Sequence, residues 1–171
     1  MTEAQQVLDR LLPREGQALR SWVMRERTGQ TVEVGLGYGI ATLFVCDGLL
    51  ATRGPAARHV AIDPYQETRF GGCGLVAVEG RSFDLAFVDG NHRFDAVFLD
   101  LVYLGRLVRR GGIVFVGDYQ LPAIARAVSF CLTNLGWTRE ETGDDGDLHH
   151  WAVLRTSERA DARSFDDYVE F

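Results

Sequence analysis

The spacing of apolar residues changes period several times along the chain, and each change marks an element boundary. Residues 3 to 12 and 15 to 26 repeat apolar side chains at helical spacing (Val7, Leu11; Leu19, Trp22, Val23), with Pro13 between them, and predict two lead-in helices. Thr31-Val-Glu-Val-Gly35 is a β-branched run that ends in glycine, and the apolar stretch from Ile40 to Leu50 predicts the helix after it. His59-Val-Ala-Ile-Asp63 and Phe83-Asp-Leu-Ala-Phe-Val-Asp89 read as further strands; the near-continuous apolar character of the latter suits a strand covered on both faces. Phe94 to Val108 repeats Val97, Leu101, Leu104 and Val108 and predicts a helix closed by Gly111-Gly112. Ile113-Val-Phe-Val-Gly-Asp118 is the next strand, Pro122 opens a helix over Ala123 to Leu135, and Gly136 ends it. Trp137 to Glu141 and His150 to Thr156 flank the polar loop Thr142-Gly-Asp-Asp-Gly-Asp147 and predict a terminal hairpin.

Strands alternating with helices, then an antiparallel pair, imply an α/β fold: a mostly parallel sheet with helices on both faces and a C-terminal antiparallel hairpin. One stretch departs from this. Only about twenty residues separate Asp63 from Phe83, where a crossover helix, a strand and a return helix need roughly forty or more. Either the sheet lacks a strand, or residues are missing between about Phe70 and Arg81.

The 171 residues suit a single domain over 1–171, with 1–28 as its lead-in helices. A net charge of -6 sets the bulk surface against a phosphate backbone and predicts no nucleic-acid partner. Arg106, Arg109 and Arg110 gather at the end of a predicted helix, where cations complement the helix dipole. Cys46, Cys73 and Cys131 are widely spaced and form neither a zinc pattern nor a disulfide framework, which suits a reducing cytoplasm. No stretch reads as an export leader or a bilayer span, so no membrane partner is expected either. A homo-oligomer is compatible with all of this.

Chemistry concentrates in Glu33-Val-Gly-Leu-Gly-Tyr-Gly39, where glycines on alternate positions let the backbone turn sharply and let a ligand approach the main chain. The dinucleotide fingerprint asks for glycine at the sixth place of G-x-G-x-x-G, which here is Ile40, so an NAD-dependent oxidoreductase is the weaker reading. Asp63 ends the following strand, where a carboxylate can accept the ribose hydroxyls of an adenosine cofactor.

Glu33 with Gly35, Gly37 and Gly39 resembles motif I of the class I S-adenosylmethionine (SAM)-dependent methyltransferases, whose fold is Rossmann-like. The resemblance implies that Gly35, Gly37 and Tyr38 lie against the cofactor and that Glu33 interacts with its amino group. Phe83-Asp-Leu-Ala-Phe-Val-Asp-Gly-Asn-His92 resembles the F-D-x-x-F-x-D-G-x-H segment of a subgroup related to small-molecule O-methyltransferases, and Gly111 to Asp118 resembles the strand that follows it there. A small hydroxylated acceptor is then implied. In metal-dependent members, carboxylates at the places of Asp89 and Asp118 share a Mg²⁺ with an Asn, but here Tyr119 stands at the Asn position.

His92, three residues past Asp89, is the candidate base, since an imidazole can take a hydroxyl proton near neutral pH. Asp89 joins it as a candidate catalytic residue, and His59, His149 and His150 show no acidic partner in register. Tyr65, Phe70 and Tyr119 are candidates for a substrate wall. A degenerate, non-catalytic domain is the remaining alternative, motivated by the short stretch after Asp63.

Overall fold

The computed structural model describes residues 13–37, 39–63, 83–146, 149–164 and 166–171. The expected helix over 3 to 12, the short stretch near Phe70 to Arg81, Tyr38, Tyr65, Phe70 and Cys73 lie outside them. The described helices are α1 (Pro13–Arg25), α2 (Ile40–Arg53), α3 (Phe94–Leu107) and α4 (Pro122–Asn134). The strands are β1 (Gln30–Val34), β2 (Arg58–Ile62), β3 (Phe83–Val88), β4 (Val108–Val116), β5 (Thr138–Asp144) and β6 (His150–Arg155). They form one sheet in the order β2-β1-β3-β4-β6-β5. The first four strands run parallel, while β6 and β5 are antiparallel.

Period-two alternation within each strand divides the apolar side chains between two faces. Leu85, Phe87, Ile113, Phe115, Trp151 and Val153 pack against Leu19, Trp22 and Val23 of α1 and Ala41, Val45 and Leu49 of α2. Their neighbours Ala86, Val88, Val114, Val116, Ala152 and Leu154 pack against Val97, Leu101 and Leu104 of α3 and Ile124, Val128 and Cys131 of α4. Burial of both faces is why β3 and β4 read as continuous apolar runs.

Some local expectations need correction. Gly111-Gly112 does not close α3, which ends at Leu107 with Val108 already extended. The two glycines lie inside β4, where Phe83 pairs with Val108 but Leu85 pairs with Ile113, so residues 109–112 form a bulge. Thr156 braces it, accepting from the Gly112 amide at 3.1 Å and donating to the Arg109 carbonyl at 2.9 Å. Arg109 and Arg110 thus belong to the sheet rather than to a helix end, and the Arg109 guanidinium pairs with Asp84 at 3.0 Å. β5 also runs to Asp144, taking three residues from the expected hairpin loop. No helix among the described residues is long and apolar enough to cross a membrane.

Phe115 is fully buried, edge-on to Phe87 with ring centroids 5.7 Å apart and stacked on Trp151 at 6.3 Å. Phe115→Ala should lower unfolding free energy by about 3–5 kcal/mol, because the surrounding sheet cannot collapse into the void. Urea unfolding followed by circular dichroism checks this, and a loss below about 1 kcal/mol contradicts such packing.

Candidate functional site

The carboxyl ends of β1 to β4 lie side by side, since Val34 pairs with both Ile62 and Val88, and Val88 pairs with Val116. Gly35, Asp63, Asp89 and Gly117 therefore leave the sheet at one level, the edge on which open α/β sheets carry ligands. Ladder bonds continue to that point: the Gly35 amide donates to Ile62, Asp89 to Val34 and Gly117 to Val88, at 2.9–3.0 Å.

Gly35 has φ +90, and a Cβ there would stand 2.2 Å from the Asp89 carbonyl oxygen, so only glycine fits. Gly37 also has positive φ, but a Cβ on it would meet none of the described residues within 4 Å. Among the described residues the loop is closely packed at its first glycine and uncrowded at its second. Asp63 Oδ2 accepts the amides of Leu36 and Gly37, each at 3.0 Å, and so ties the end of β2 to the loop. Gly35, Gly37 and Asp63 are thus brought to one place.

Glu33 is fully buried beneath this loop. Its Oε2 accepts from the Thr42 hydroxyl at 2.6 Å and lies 2.9 Å from His59 Nε2, while His59 Nδ1 is 2.8 Å from the Thr31 hydroxyl. Glu33 Oε1 is buried with no hydrogen-bond partner among the described residues. The expectation that His59 lacks an acidic partner is therefore wrong. Pairing of β1 with β2 sets His59 opposite Thr31, which shares its face of the strand with Glu33, two residues on.

On the neighbouring strands, His92 Nε2 lies 3.1 Å from Asp118 Oδ2 and 3.5 Å from Asp89 Oδ1. The Asp89 carboxylate, helped by the charge of Asp118, pulls the His92 imidazole above its usual range, and partial burial opposes them. Asp118 has φ +51, a strained left-handed conformation that Asp tolerates better than most residues. Gln120 steadies it, donating to Asp118 Oδ1 at 3.0 Å while accepting from the His150 amide at 2.9 Å. His149, also read as lacking an acidic partner, has its Nδ1 3.6 Å from Asp118 Oδ1. Tyr119 turns its hydroxyl to Arg139, from which it accepts a hydrogen bond at 3.1 Å.

One ligating atom each from Asp89, His92 and Asp118 lies within 4.8 Å of the others. Carboxylate oxygens suit Mg²⁺ or Mn²⁺, and the imidazole admits transition ions as well. Without an ion, the same arrangement holds an imidazole by one nitrogen between two carboxylates, leaving Nδ1 to exchange protons.

A family model described as a methyltransferase domain matches residues 71–119. Among solved structures, the cofactor-bound Rv0187 protein from MTB is similar at TM-score 0.67 and 17% identity, covering 87% of this chain and 82% of that one. The O-methyltransferase TomG from Streptomyces achromogenes, in complex with SAM, gives 0.62 and 15%, covering 91% and 86%. An O-methyltransferase from Bacillus cereus, in complex with SAH, gives 0.57 and 12%, covering 85% and 82%. The chain has the class I methyltransferase fold. Among curated proteins, none matches the sequence.

In this methyltransferase fold one group that sequence reasoning missed stands next to the cluster. Glu15, in the first turn of α1, is only 4% exposed. A Cβ on Gly117 would stand 3.1 Å from Glu15 Oε1 and 3.4 Å from Asp89 Oδ1, so the two carboxyl groups flank that glycine. Burial first, then the charges of Asp89, Asp118 and Asp145, push the Glu15 carboxyl from its ordinary 4.5 to about 8. In sequence, an acidic residue in a first helical turn reads only as a complement to the dipole.

The raised value has a signed consequence. Between 4.5 and about 8 the folded chain keeps a proton that the unfolded chain releases, so this group's contribution to stability falls as pH rises through that window. Glu15→Gln removes the effect: its advantage over the parent should be absent near pH 4 and grow to roughly 2–4 kcal/mol by pH 9. Urea midpoints for both proteins across that range test it, and parallel curves would contradict it.

Proposed function

We propose that this chain is a SAM-dependent methyltransferase that methylates a hydroxyl group of a small acceptor molecule. Gly37 carries the proposal: no described residue crowds its α-carbon, in a loop tied down by Asp63 and one strand from a cluster able to accept a proton. The cofactor would be held by Glu33, Gly35, Gly37 and Asp63, and Tyr38 joins them through its place in the same loop. The residues suit that ligand. Glu33 Oε1 is a buried acceptor in want of a donor, which an ammonium group or a bridging water satisfies. Asp63, at the end of β2, stands where a ribose is bound in related open sheets.

Bound SAM supplies a methyl group on a sulfonium that leaves without covalent help, so the chain's tasks are in-line positioning and removal of the acceptor's proton. His92 Nδ1 takes that proton while Asp89 and Asp118 hold the Nε2 side and stabilise the cation that forms. The gathering of three donor atoms within 4.8 Å supports a second mode, in which Asp89 and Asp118 hold a Mg²⁺ that lowers the pKa of the acceptor hydroxyl.

S-adenosylhomocysteine should raise the melting temperature by several degrees at saturating concentration, and NAD should not. Gly37→Ala, whose new methyl group meets none of the described residues, should remain folded yet lose most of that rise. A rise with NAD alone overturns the cofactor assignment in favour of an oxidoreductase, and no rise with either ligand favours a non-catalytic domain.

The two modes of activation separate in a methyl-transfer assay with an identified acceptor. If His92 works alone, His92→Ala should lower turnover about 10²–10⁴-fold and EDTA should leave the parent unchanged. If an ion does the work, EDTA should abolish turnover and Asp118→Asn, which keeps a residue tolerant of the left-handed backbone, should lower it severely. Full turnover in both variants would remove the cluster from the mechanism.

A further inference from the structure

The cluster at the ends of β3 and β4 carries more negative charge than the proposed proton transfer needs. Asp89 and Asp118 already flank His92, and Glu15 brings a third carboxyl group to Gly117 from α1, outside the sheet. Among the described residues the Glu15 carboxyl accepts no hydrogen bond and meets no cation, although the residue is only 4% exposed. Its neighbour in sequence, Arg14, pairs with Asp145 instead, at 3.7 Å, and the Glu15 amide donates to the same Asp145. A carboxyl so little exposed beside two others is costly unless something positive joins them.

We propose that Glu15 is the third carboxylate of a divalent-cation site centred on Asp89 and Asp118. This inference rests on the ion-dependent mode described above. Glu15 is not among the atoms that gather within 4.8 Å, so it contributes through the water shell that ions such as Mg²⁺ and Mn²⁺ keep. In that role it adds an oxygen partner to a site where Tyr119 replaces the neutral Asn of metal-dependent members and has its hydroxyl engaged by Arg139. The ion would also settle the charge of all three carboxyl groups at once. Glu15 is here a positioning residue.

Binding of Mn²⁺ to the full chain, followed by electron paramagnetic resonance and calorimetry without acceptor or cofactor, tests this directly. The parent should bind one Mn²⁺, and Asp118→Asn should lose it. Glu15→Gln should bind it about 10–100-fold more weakly, as removal of an outer-shell partner does, and Glu15→Asp should fall between. Circular dichroism and the melting shift with S-adenosylhomocysteine verify that each variant is folded with its cofactor cradle intact; if Glu15→Gln fails them, the weakening must appear in Glu15→Asp. No Mn²⁺ bound by the parent overturns the ion-dependent mode and this inference together. Binding that is lost in Asp118→Asn yet unchanged in both Glu15 variants overturns the role of Glu15 alone.

Discussion

The parallel pairing of β1 with β3 governs the geometry of the whole edge. With Val34 opposite Val88, the chain leaving β1 runs against the main chain leaving β3, and the Asp89 carbonyl occupies the place where a side chain at position 35 would begin. The glycine loop and the acidic turn are thereby joined by backbone contact rather than by side chains that can change rotamer. On the proposed reading, a cofactor cradle on one side of this junction and a proton-accepting cluster on the other would keep a fixed separation, which in-line transfer between two bound molecules requires. The helices matter to this edge chiefly because they cover both faces of the sheet that makes the junction.

Around the junction, local stability is set against chemistry. Asp118 adopts a left-handed backbone, Glu15 is buried beside like charges, and Glu33 has one oxygen without a donor among the described residues. Each costs free energy, and strain of this kind gathers where groups must meet a ligand. The deep core carries less of this: Leu85, Phe87, Ile113 and Phe115 are fully buried, and the polar liability packed with them is the Trp151 indole N–H, which has no hydrogen-bond partner among the described residues. The sandwiched core offsets what the edge gives up.

How much was legible in the sequence follows from which contacts are local. Strands with both faces covered reveal themselves as unbroken apolar runs, and the glycine loop and the carboxylates of Asp63, Asp89 and Asp118 sit at strand ends in the sequence as they do in the fold. Contacts that depend on register or docking did not show. The partnership of His59 with Glu33 exists because β2 pairs with β1 at one offset, and a shift of one residue would turn His59 to the opposite face. Glu15 reaches Gly117 because α1 packs on that face of the sheet, and no periodicity in α1 specifies its neighbour across space. The glycines at 111 and 112 misled for a related reason: a bulge and a helix end ask for the same left-handed freedom, and only the strand pairing distinguishes them.

The position of β2 gives the two halves of the edge unequal mechanical security. Among the described residues β2 is hydrogen-bonded to β1 alone, whereas β3 and β4 each lie between two neighbouring strands. A strand held on one side opens by local fluctuation more readily than one held on both. Opening of β2 would draw Asp63 from the amides of Leu36 and Gly37, while Asp89 and Asp118 follow strands held on both sides. A fluctuation that frays β2 would thus loosen the loop at Gly37 before it reaches the carboxylates at the ends of β3 and β4.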